Sequence, residues 1–122
     1  VKDIQYDHTA GAYENAGLCA MAIPDFPKAT HYFEKALQQD PARRQSLYDL
    51  ATIELKQGHL NEALSYLQKY PDILLKDPML LALAAEVAHK AEKYELEADY
   101  KMRLNRFSAN LGGKNDNDNH NG

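Results

Sequence analysis

This sequence predicts an all-α chain built as a stack of helix pairs, on three observations. Small residues recur at Gly17, Ala51 and Ala85, with one constant spacing of 34. A second small position recurs at Ala29 and Ala63, again 34 apart, and then at Ala98 after 35. Capping and helix-breaking residues fall between these marks, while strand signals are negligible. Small residues at a fixed period mark close helix crossings, and a stack of such pairs is a binding scaffold by construction.

The first unit resembles the tetratricopeptide pattern W-x2-L-G-x2-Y, A-x3-F, A and P. With Ala10 in first place, Tyr13 replaces the Trp, Ala16 the Leu and Ala20 the Tyr, while Gly17, Ala29, Phe33, Ala36 and Pro41 match. The second unit supplies Leu47, Leu50, Ala51, Ala63 and Leu67, and the third Leu81, Ala84, Ala85 and Ala88. Ala98 then comes one residue late, which implies an extra residue in the Ala91–Lys93 turn. The resulting organisation is a linker or remnant at 1–9, repeats at 10–43, 44–77 and 78–108, and a polar flexible tail at 109–122. Three repeats are about the minimum that buries a continuous core.

Six helices follow, roughly 9–22, 26–39, 43–57, 60–70, 78–91 and 94–108. Asp25 can cap the second, with Pro27 in its first turn, where a missing N–H costs little. Asp40-Pro41 ends that helix, because a residue before proline avoids the α region. Gly58 closes the third. Pro71 stops the fourth early and predicts an irregular bridge over 72–77 before the helix that opens near Pro78.

The formal net charge of −4 comes without a basic stripe, which excludes a surface for nucleic acid. The longest apolar stretch, Met79–Ala88, is broken by Glu86 and is too short to span a bilayer. One cysteine, Cys19, precludes an internal disulfide. It lies mid-helix with Leu18 before it and no apolar leader upstream, so it reads as a buried structural thiol rather than a lipid anchor. The Asn/Asp-rich end lacks the closing Glu of a calcium loop. His8, His31, His59, His89 and His120 show neither the H-E-x-x-H spacing nor paired cysteines, and there is no phosphate-binding loop or nucleophile elbow. Glu92, Glu95 and Glu97 read as an ordinary solvated helix start. The expectation is a non-enzyme that needs no metal or cofactor.

A binding module needs a surface. The concave face of such a stack is lined by the first helix of each pair. Here its positions include Gly11, Glu14, Leu18, Met21 and Ala22, then Gln45, Tyr48, Thr52, Leu55 and Lys56, then Met79, Ala82, Glu86, His89 and Lys90. Leu18, Met21, Tyr48, Leu55 and Met79 form an apolar stripe suited to a partner helix or extended peptide, with His89 at its end. The other reading is that these side chains pack against one another. Glu14, Leu18, Met79 and Leu83 stand where a carboxylate clamp would need cations, which weighs against a chaperone-tail binder.

The strings Tyr13-Glu14-Asn15-Ala16-Gly17-Leu18 and Ala29-Thr30-His31-Tyr32-Phe33-Glu34-Lys35-Ala36-Leu37 resemble the type IV pilus biogenesis lipoproteins, the PilF/PilW pilotin family. The likeness continues through Leu50-Ala51, Leu64-Ser65-Tyr66-Leu67, Leu80–Ala88, Glu97-Ala98-Asp99-Tyr100 and Arg103-Leu104-Asn105-Arg106-Phe107, covering about residues 8–107. The resemblance implies a pilus assembly factor at the periplasmic face of the outer membrane that helps a secretin localise and multimerise. It would meet the membrane only through a lipid anchor outside this sequence, and the chain, which begins at Val1, would be the C-terminal half of such a protein. The alternative is a generic soluble tetratricopeptide adaptor or co-chaperone, cytoplasmic in that case.

Overall fold

The computed structural model describes residues 8–121, with the side chains of residues 8–110. Among these residues the chain is all-α, in the order α1 (Ala10–Ala22), α2 (Phe26–Gln39), α3 (Arg44–Lys56), α4 (Leu60–Lys69), α5 (Pro71–Leu74), α6 (Pro78–Lys90) and α7 (Tyr94–Asn121). The helices α1, α3 and α6 are 13 residues each and start at equal intervals, at Ala10, Arg44 and Pro78. Their partners α2, α4 and α7 start at the same interval, at Phe26, Leu60 and Tyr94. Three antiparallel pairs therefore stack in sequence, each packed on the next.

Local chemistry sets these boundaries. Thr9 accepts the Ala12 N–H at 3.2 Å, Asp25 the Lys28 N–H at 3.1 Å, and Asp77 the Met79 and Leu80 N–H groups at 2.8 and 3.2 Å. Each cap satisfies donors that have no partner within their own helix. Within each pair the turn closes with one repeated bond. The N–H groups of Asp25, His59 and Lys93 donate to the carbonyls of Ala20, Glu54 and Ala88 at 2.6, 2.8 and 2.8 Å. Gly58 supports this turn with φ of +80°, and Glu92, its counterpart in the next repeat, holds φ of +59° without being a glycine.

The core runs along the whole stack. Phe33, Leu37, Leu47, Leu50, Ile53, Leu67, Leu80, Leu81 and Val87 are fully buried, each large aliphatic side chain contributing about 1.5–3 kcal/mol of transfer free energy. Gly17 faces Phe33 so closely that a Cβ there would lie 2.6 Å from Phe33 Cε1. Ala51, Ala85, Ala29 and Ala63 are buried at the corresponding places in and between the pairs. Pro41 is exposed in the connection to α3, after the extended Asp40.

Four expectations need correction. The Ala91–Lys93 turn holds no extra residue, because all three intra-pair turns have the same length. Position 97, not 98, takes the place of Ala29 and Ala63. Glu97 is only 9% exposed there, and Ala98 faces solvent rather than marking a helix crossing. Nor is Glu97 part of a solvated acidic face, as Glu92 and Glu95 are. The bridge after Pro71 is not wholly irregular: Pro71 occupies the first position of one helical turn, α5, where its missing N–H costs nothing, and Leu74 is buried beneath it. Finally, α7 continues to Asn121 rather than ending near 108. No proline follows Pro78 to interrupt the ladder, and Gly112-Gly113 weakens a helix without removing its donors. The side chains of the predicted tail, from residue 111 on, and all of residues 1–7 lie outside the described residues.

Candidate functional site

The stripe expected on α1, α3 and α6 divides into two kinds of residue. Leu18 and Met79 are exposed, at 40% and 64%. Met21, Tyr48 and Leu55 are half-buried and pack against the core, so they serve the fold as well as the surface. Tyr48 and Met79 come together. With Arg44, Gln45, Asp77 and Leu80 they line a surface pocket of about 140 Å³ between the starts of α3 and α6. Its walls are apolar (Tyr48, Met79, Leu80), and its rim carries an Arg44–Asp77 pair at 3.7 Å.

His89 belongs to a different place. It lines a hollow of about 340 Å³ on the outer side of the third pair, together with Ala82, Ala85, Glu86, Glu97, Lys101 and Leu104. Its Nδ1 lies 3.1 Å from Glu97 Oε1, and Lys101 Nζ donates to Glu97 Oε2 at 2.8 Å. Hydrogen bonds from Lys101 and then His89 hold the Glu97 carboxyl below its ordinary value. His89 also meets the Tyr94 ring edge-on at 5.9 Å. These contacts tie His89 to α7 and away from the Tyr48–Met79 pocket.

Polar bonds between neighbouring pairs escaped the sequence reading. Ser46 donates to Glu14 Oε2 at 2.8 Å, and Arg43 Nη1 lies 3.5 Å from Glu14 Oε1. Glu14 therefore braces α1 against α3 instead of standing free on the concave face. Beside it Asp49 is buried and accepts from Gln45 at 2.8 Å; burial first, and the nearby Glu14 charge second among the raising influences, push its carboxyl up. Along the second helices the Tyr66 hydroxyl donates to Glu34 at 2.9 Å, and Gln68 donates to the Tyr100 hydroxyl at 3.4 Å. Burial and then Glu34 push the Tyr66 phenol up. The signal for this ladder was present: Tyr32, Tyr66 and Tyr100 recur at the repeat period.

Cys19 is a correction. It is exposed, not a buried structural thiol. The equivalent Ile53 and Val87 are buried because a preceding helix pair lies on them, and among the described residues nothing of that kind covers α1. Among the described residues no group of three His, Cys, Asp or Glu is placed to hold a metal ion, and no helix is long and apolar enough to cross a membrane.

These features define a class: a solenoid of helix pairs that presents one face of its first helices. The family model for the tetratricopeptide repeat matches residues 24–87, more than half of the chain. The chain belongs to the tetratricopeptide repeat family, whose repeats form protein–protein interaction scaffolds. No curated protein matches it by sequence. Among solved structures it is similar to the crystal structure of MamA protein, with a TM-score of 0.69 and 19% identity, over 78% of this chain. The chain spans about half of that structure, 52% of its length. The likeness is one of fold.

Proposed function

We propose that this chain is a non-catalytic scaffold that holds a segment of another protein along the face of α1, α3 and α6. The observation that carries the reading is the pocket at Tyr48, Met79 and Leu80, where a methionine 64% exposed stands beside a half-buried tyrosine. A flexible thioether adapts to an incoming apolar side chain, and a tyrosine held from one side by the core is a pre-ordered anchor. A pocket of about 140 Å³ fits one side chain of the partner, not a substrate with room for chemistry.

Within that reading we propose an outer-membrane secretin subunit as the partner and the periplasmic face of the outer membrane as the place of action, as for a pilotin. The support is the resemblance of residues 8–107 to the pilus biogenesis lipoproteins, together with a surface that offers apolar anchors and no cation cluster for a terminal carboxylate. The test is binding of the purified secretin subunit to this chain and to a Leu18→Lys, Tyr48→Ser, Met79→Lys variant. A central anchor contributes about 2 kcal/mol, roughly thirty-fold in affinity, so the variant should lose binding while keeping its helicity. Undiminished binding by a folded variant would remove the groove from the account. No binding by the parent chain would remove the secretin.

A further inference from the structure

We infer that the seam between the first and second helix pairs is a pH-responsive hinge. On the concave side α1 swings against α3 while α2 stays seated on α3, and protonation of the buried Asp49 beside Glu14 closes the gap.

The two concave seams of the stack are built from different chemistry at equivalent positions. Where α1 meets α3 stand Glu14, Asp40, Arg43, Gln45, Ser46 and Asp49. One repeat on, where α3 meets α6, the same places hold Tyr48, Leu74, Asp77, Met79, Leu80 and Leu83. Five of the six polar positions have become apolar or aromatic, and Leu74, Leu80 and Leu83 are buried there. The second seam is therefore closed by packing, which pH does not alter. The first is closed by polar groups, of which Ser46 and Asp49 are buried.

Across that first seam two bonds end on one carboxylate. Ser46 donates to Glu14 Oε2 at 2.8 Å, and Arg43 Nη1 lies 3.5 Å from Glu14 Oε1. Arg43 is shared with Asp40, 3.4 Å from its Nε. The guanidinium is thus committed to two acids, and Asp49 keeps only an uncharged donor, Gln45 on its own helix, at 2.8 Å. The charged groups acting on Asp49 are Glu14 from α1 and Lys56 from α3; α2, α4 and α6, which also pack on α3, bring none among the described residues. The convex side is the fixed edge of the hinge. There α2 packs on α3 with Leu37, Leu47 and Leu50 buried, and Tyr66 reaches back to Glu34 at 2.9 Å.

The direction of the response follows from what opening does to Asp49. In the closed seam burial raises its carboxyl most, the Gln45 bond opposes this, and Glu14 raises it again. Opening admits water and draws Glu14 away, which returns the group toward its ordinary 3.8. The closed seam therefore holds the proton more tightly than the open one. That aid to closure is complete below 3.8 and is lost as pH rises through the raised value. On the reading that the concave face holds a partner, acidity would change the spacing of Leu18 on α1 from Tyr48 on α3. The Tyr48–Met79 pocket, on the apolar seam, would keep its shape.

Nitroxide labels on the full chain test this with no partner present, so the outcome is independent of what the face binds. One pair, on Cys19 and Gln57→Cys, spans the first seam. A second, on Gln57→Cys and Lys90→Cys in a Cys19→Ser chain, spans the other; all three sites are exposed. From pH 8 to pH 4.5 the first distance should shorten and its spread narrow, while the second stays constant. Asp49→Asn, which imitates the protonated acid, should give the short distance already at pH 8 and a higher urea midpoint than the parent there. Glu14→Ala, which removes the latch, should keep the first distance long and broad throughout. A first distance indifferent to both pH and Asp49→Asn would overturn the inference. Equal movement across both seams would overturn it as well, by making the change a general loosening. So would a lower midpoint for Asp49→Asn at pH 8, which would mean that the charge holds the seam together.

Discussion

Gly17 offers the sharpest test of the stack. A Cβ built there falls 2.6, 2.8 and 2.9 Å from Phe33 Cε1, Cδ1 and Cζ, well inside van der Waals contact. Phe33 is fully buried, so its ring has nowhere to retreat without moving α2 from α1. Gly17→Ala gains about 1 kcal/mol from helix propensity. Overpacking a filled core costs about 1–3 kcal/mol, so the net expectation is a loss of up to about 2 kcal/mol, and more for Gly17→Leu. Two other glycines calibrate the result. A Cβ on Gly11 meets only the flexible end of Arg43, at 3.3 Å, so Gly11→Ala should be neutral or stabilising. Gly58 has open space but φ of +80°, so Gly58→Ala should cost about 1 kcal/mol through the backbone alone. Urea denaturation at constant slope reads all three. A Gly17→Ala variant at least as stable as the parent would refute the crossing described here. Partial rescue by Phe33→Leu would locate the strain in the ring.

Glu92→Gly should stabilise the chain by about 0.5–1 kcal/mol, because φ of +59° is costly for a residue with a Cβ; thermal denaturation checks it, and Glu92→Val should lower the midpoint. The Glu97 cluster should make stability depend on pH in one direction. The folded state holds this carboxyl below its ordinary 4.5, so it binds the proton less tightly than the unfolded chain. Its contribution is complete above 4.5 and is lost as pH falls through the lower folded value. Glu97→Gln should therefore have a shallower fall in urea midpoint between pH 6 and pH 3 than the parent, and identical slopes would count against the pairing.

Much of the fold was legible in the residues. Asp25, Asp40-Pro41, Gly58 and Pro78 act through local geometry, and the helices they delimit stand within a residue or two of expectation. What failed did so because it depended on neighbours. Ala98 drew attention as a small residue, yet backbone register placed Glu97 in the crossing, and its charge is accommodated only because His89 and Lys101 arrive from two helices. Cys19 reads as core by type and spacing, but burial on a repeat face depends on what stacks ahead of it. On the concave face, spacing located Tyr48 and Met79 but could not separate anchors from braces such as Glu14, whose role depends on Ser46 across the gap.

Three hydrogen bonds that join one pair to the next span 32 residues each, Glu14 to Ser46, Glu34 to Tyr66 and Gln68 to Tyr100. A chain wired this way never has to close a long loop. Each unit needs only the one beside it, so folding can begin anywhere and spread by short steps, and low contact order favours speed. The same wiring makes the molecule elastic: a small rotation at each seam adds along the axis, and the curvature of the concave face can adjust without any pair coming apart. A partner of variable shape could then be gripped by flexing the whole spring rather than by remodelling a pocket.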